Sequence, residues 1–186
     1  MLFFPVLSSF FAFGALTAVA SPAPSVEKRT NAADVLTTVV NIETQVNVIL
    51  PQIDALIGSP TATVADIEPL AAQLAGVLRA GTAKIDAFEG KVDANSGGTK
   101  DEVAKKTADI YTSITATLSR VKAKNVLFYV TFLQYGIEGA LIGTLLSLNT
   151  ALDGVIALVR NLYVLDALDG LLSGLGLLNI KVLLGL

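Results

Sequence analysis

Apolar residues recur along this chain at the three-and-four spacing of a helix rather than at the alternating spacing of a strand. Val35, Val39, Ile42, Val46, Ile49, Ile53 and Leu56 draw one stripe, which predicts a helix over 34–57. Pro51 lies inside it, and the missing amide and bulky ring predict a kink or break near Leu50. A loop, GSPTATVAD, precedes the second stripe of Ile67, Leu70, Leu74, Val77 or Leu78, Ile85 and Phe88. Asp66 is the expected N-cap there, with Pro69 in the first turn, where a proline costs no hydrogen bond. After the break DANSGGTKDE, Thr99 and Glu102 have the spacing of a capping box, opening a third helix through Val103, Ile110, Ile114, Leu118 and Val121. The other faces of these helices are rich in Thr, Gln, Asn and charge, and short connections favour antiparallel neighbours, so the three suit a soluble bundle.

At Asn125 the pattern changes. Residues 30–124 carry twenty charged side chains, whereas residues 125–186 carry only six, Glu138, Asp153, Arg160, Asp166, Asp169 and Lys181. Helices are expected at about 126–150, 154–168 and from 171 onward, apolar on nearly every side. Gly139 and Gly143, and again Gly170 and Gly174, have the spacing at which another helix approaches closely. The fold expected from the pattern is therefore all-α: a helical bundle of three amphipathic helices (30–124) followed by a very apolar, Leu/Gly-rich helical C-terminal half (125–186).

The ends of the chain set its compartment. MLFFPVLSSFFAFGALTAVA is an apolar run closed by the small-x-small pattern Ala18-Val19-Ala20, and it reads as a signal peptide over 1–20 cleaved after Ala20. The alternative is a retained anchor, against which Pro5, Ser8 and Ser9 interrupt the run. Residues 21–29 form a short Pro-containing segment ending in Lys28-Arg29. In a secreted chain this dibasic pair reads as a propeptide processing site, leaving a mature domain over 30–186, although an exposed charge pair has the same appearance. That mature chain has 157 residues, enough for one core. Its net charge of −4 and lack of long basic tracts offer no electrostatic footprint for nucleic acid.

Cysteine and histidine are both absent. A small secreted domain without disulfides must be held by its apolar core or by assembly. Ser-His and Cys-His nucleophile pairs, thiolates and ordinary zinc sites are excluded. Carboxylate chemistry has two candidates, Asp101 with Glu102 and Asp166 with Asp169. Helix-terminus roles account for both, and no third group stands nearby in sequence to separate their pKa values. No enzyme activity, cofactor or metal is expected.

Membrane insertion is a separate question. Val126 to Leu148 is long enough to span a bilayer, but Gln134 and Glu138 lie near its middle, and a central carboxylate costs about 2.5–3.5 kcal/mol. The other uncharged runs are shorter than a span requires, so no transmembrane span is assigned. Lys181 interrupts the tail that a C-terminal lipid-anchor signal would need. Arg120, Lys122 and Lys124 favour the negative end of the third helix, although anionic headgroups would suit them too. Phe128, Phe132 and Tyr135 fall on one helical face, which reads as core or as a contact surface. Together with Leu171, Leu175 and Leu178 of the leucine-rich tail they form the candidate hydrophobic contact face.

ILPQIDALIG at 49–58, ATVADIEPLAAQLAGVL at 62–78 and SLNTALDGVIALVRNLYVLDALDGLLSGLGLL at 147–178 resemble the cysteine-free secreted proteins that mushroom-forming fungi deposit with hydrophobins in the matrix and walls of aerial hyphae. A looser likeness in rhythm is to the hydrophobic surface-binding proteins of filamentous fungi. The resemblance implies a secreted protein of the extracellular matrix or cell wall that supports aerial hyphae and attachment, and it carries over no active-site residue. The expected function is thus a structural, interfacial one, with adsorption to hydrophobic surfaces or wall components and self-association. In that reading the apolar C-terminal helices open outward at an interface. The alternative is a secreted helical module that binds a lipid or another hydrophobic ligand.

Overall fold

The computed structural model describes residues 32–90, 92, 97–162 and 165–186. The processing candidates Ala20, Lys28 and Arg29 lie outside them. Eight α-helices occur among the described residues: α1 (Ala32–Gly58), α2 (Val64–Asp86), α3 (Gly97–Lys124), α4 (Val126–Gln134), α5 (Ile137–Ala151), α6 (Val155–Leu162), α7 (Leu165–Leu175) and α8 (Leu178–Leu184).

The expected segments are helical, but their breaks fall elsewhere: the break expected between 168 and 171 lies inside α7, and the chain divides instead between α6 and α7. α1 continues unbroken through Pro51, whose ring is exposed. α2 starts earlier than expected, with Thr63 rather than Asp66 as N-cap. The Asp66 carboxylate instead reaches back to accept hydrogen bonds from the Thr63 amide, at 2.8 Å, and from its hydroxyl, at 2.7 Å. Pro69 consequently falls in the second turn. α3 already runs from Gly97, so Thr99 is inside the helix rather than its cap. The first apolar helix expected at 126–150 is two helices meeting at 49°, because Gly136 takes φ +72°, a conformation that ends α4 and starts α5 in a new direction. Gly176, at φ +76°, separates α7 from α8 in the same way.

The expected arrangement, three amphipathic helices followed by a separate apolar half, is overturned by the packing. α1 packs against both α2 and α3, but the other sides of those two helices are covered by the C-terminal helices. α5 and α4 lie on α2, whereas α6, α7 and α4 lie on α3, and α8 closes over α5, α6 and α7. The result is one interleaved globular bundle with a single apolar cluster reaching from Ala32 to Leu184. α1 and α2 are antiparallel as expected, with Ile42 opposite Gly81. α1 and α3 run parallel, because Glu43 pairs with Lys106 at 2.9 Å and Asp54 pairs with Arg120 at 2.8 Å further along both helices.

The physical reason for the interleaving is written in α3. Its large apolar residues occupy a narrow stripe, but Ala104, Thr107, Ala108, Tyr111, Thr115 and Thr117 are buried as well, so roughly half the helix circumference is covered. The threonines enter the core at little cost because their hydroxyls bond the preceding turn: Thr107 donates to the Val103 carbonyl and Thr115 to that of Tyr111. A helix with so wide a buried arc cannot be satisfied by one neighbour.

Candidate hydrophobic contact surface

α4 is held on three sides. Asn125 caps it, with its side-chain oxygen accepting from the Leu127 amide at 2.9 Å. Phe128 and Phe132 point into the core, Phe132 with no exposed surface. The hydroxyl of buried Tyr129 donates to the Leu175 carbonyl at the end of α7, and Lys122 donates to the neighbouring Gly174 carbonyl at 2.6 Å while standing 5.2 Å from the centre of the Tyr129 ring. These two side chains supply donors for final carbonyls that α7 cannot satisfy internally. Burial pushes the Tyr129 phenol above its ordinary pKa, and the nearby Glu138 carboxylate adds to the shift.

What this anchoring leaves outside is unusual. Val126, Leu127, Val130 and Leu133 all face solvent, Leu127 at 64% exposure. These four are on a helix of nine residues with no charged side chain, so the outer face of α4 is largely apolar, with Gln134 at its end as the exposed polar residue. The informative observation about a protein surface is a clustered apolar patch, not a scattered leucine, and this is such a cluster. Two more exposed apolar residues, Leu178 and Val182, are one turn apart on the outer side of α8. Glu138 fixes the start of α8 by accepting from the backbone amide and the side-chain amide of Asn179, and Lys181 pairs with Asp169 on α7.

The contact residues expected from sequence are therefore distributed over different environments. Phe128, Phe132 and Leu175 are in the core, Tyr135 and Leu171 are half-buried, and Leu178 is exposed. The α4 residues that do face solvent are the neighbours of the aromatic stripe. Their signal in the sequence was the absence of any charged position in VLFYVTF; the stripe alone could not say which side would point inward.

Other features have less to offer. A cleft of about 460 Å³ between α2 and α5 is lined by Arg79, Thr82, Asp86 and the glycine row Gly136, Gly139 and Gly143; Arg79 donates to the Tyr135 carbonyl at its edge. Among the described residues no group of three or more carboxylates is placed to hold a metal ion. Asp169 is tied to Lys181. No single described helix is long and apolar enough to cross a membrane, and only the bent pair α4 and α5 passes that test jointly. No protein-family model matches this chain, and no curated protein matches it.

Proposed function

We propose that this chain is a secreted structural protein of a fungal surface that adsorbs to hydrophobic surfaces and supports aerial hyphae and attachment. The supporting observation is the outer face of α4, where four large apolar side chains stand in solvent on a helix whose inner face is already fully used. Adsorption through that face needs no opening of the fold. The C-terminal helices cover α2 and α3 and stay in place, and α4 removes its own exposed area from water when it meets an apolar boundary. The signal-like start and Lys28-Arg29 support the secreted half of the reading.

The test is surface activity of the protein purified from culture medium. It is expected to lower the surface tension of water and to coat alkylated glass while its helical circular dichroism persists. A protein that leaves surface tension unchanged and washes off the glass would remove this function. A monomer that purifies with about one lipid per chain would favour the ligand-binding module instead.

A further inference from the structure

We propose that the outer face of α4, with Lys124 at its head, docks onto an anionic lipid surface. This deepens the adsorption reading above and rests on it, by naming the partner of the same face. The first observation is charge placement. Between Asp109 and Glu138 the chain has no acidic residue, and Arg120, Lys122 and Lys124 lie in that stretch just ahead of α4. Two of these cations already have partners within the chain, Arg120 with Asp54 and Lys122 with the Gly174 carbonyl. Lys124 is exposed, immediately before the cap of α4, next to exposed Val126 and Leu127. In a chain of net charge −3, a stretch without acidic residues favours the approach of its side to an anionic boundary, and Glu138, whose carboxylate acts on Tyr129 of α4, is taken up by the Asn179 amides. A cation beside an apolar helix face is the arrangement by which surface-lying helices hold such lipids, the side chains entering the acyl boundary and the ammonium staying among the headgroups.

The size of the face argues against a second copy as its occupant. Nine residues make a ridge about 14 Å long with a footprint on the order of 150 Å², whereas a stable dimer needs about 800 Å² from each partner. A lipid leaflet has no such minimum, because it deforms around a short ridge and is gained by many chains in parallel.

The experiment uses the secreted chain with vesicles of phosphatidylcholine alone and of phosphatidylcholine mixed with phosphatidylglycerol, read by co-sedimentation. Stronger binding to the mixed vesicles is expected, with the preference falling at high salt. Lys124→Gln should weaken binding to the mixed vesicles by roughly fivefold, the worth of one basic side chain at such a surface, and leave the neutral ones unaffected. Leu127→Gln should weaken both by roughly tenfold. Both sites are exposed, and unchanged thermal melting identifies folded variants; Val126→Gln replaces Leu127→Gln if the latter melts early. Equal binding to the two vesicle types, or no effect of Lys124→Gln, overturns the proposal. So does a Leu127→Gln variant that abolishes a dimer and not vesicle binding. Coating of alkylated glass without vesicle binding removes this inference alone, and loss of both removes the adsorption reading with it.

Discussion

Tyr129 on α4 donates its hydroxyl hydrogen bond to the backbone carbonyl of Leu175, the last residue of α7. Tyr111 makes the corresponding bond from α3 to the Leu141 carbonyl inside α5. The two differ in what their loss leaves behind. A carbonyl inside a helix keeps its own amide donor, whereas one at a helix end has no helical partner. Tyr111→Phe is therefore expected to cost about 1 kcal/mol, and Tyr129→Phe about 1–3 kcal/mol, because it strands a buried acceptor. Urea unfolding of both variants checks the order, and equal losses would contradict it.

Gly81 lets α1 and α2 approach. A Cβ there would fall within 2.5 Å of Ile42 Cγ1 and closer still to Cδ1. Overpacking typically costs about 1–3 kcal/mol, which outweighs the roughly 1 kcal/mol that alanine gains in helix propensity. Gly81→Ala is expected to destabilise the protein. In an Ile42→Ala background, with the obstructing atoms gone, the same substitution should be neutral or stabilising. A double-mutant cycle measures that coupling directly.

Pro51 occupies an exposed position inside α1 and removes the amide that would bond the Asn47 carbonyl. Its exposed ring stands at the rim of a cleft between α1 and α3. Pro51→Ala should raise stability by about 1–3 kcal/mol, seen as a higher urea midpoint with an unchanged slope. A decrease would show that the proline ring is required where α1 meets α3.

Acid pH acts on the start of α2. The bonds from the Thr63 hydroxyl and amide hold the Asp66 carboxyl below its ordinary value of 3.8. With the folded pKa lowered, the unfolded chain binds the extra proton first, so stability rises with pH across that interval. The contribution of Asp66 is fully present above 3.8 and fades as pH falls through the lower folded value. The melting-temperature difference between the protein and its Asp66→Asn variant should be constant near neutrality and shrink below pH 3.8. A difference that persists unchanged at lower pH would separate the cap from ionisation.

The sequence by itself determined that this protein is helical and where most helices run, because amphipathic periodicity is a local property. Val35 to Leu56 announce α1, and Val103 to Val121 announce α3. The sharp change of composition at Asn125 was also legible, as was the lack of any charged position in α4. Helix ends were harder. Asp66 reads as the N-cap in the sequence, and only the reach of its carboxylate back to the Thr63 amide shows that Thr63 caps α2 instead. The tertiary structure alone decided who packs with whom. Threonine and alanine on the flanks of α3 look like surface in a hydrophobicity pattern, yet they are buried, since a threonine that bonds its own helix carries no unmet polar group into the core. That wide buried arc is what interleaves the two halves of the chain. The same holds for the contact surface: α4 carries no charge on any side, so its sequence does not choose an inward side, and the choice falls to packing, which takes Phe128, Phe132 and Tyr129 into the core, the last with a bond to Leu175 across 46 positions of sequence, and leaves Val126, Leu127, Val130 and Leu133 toward solvent.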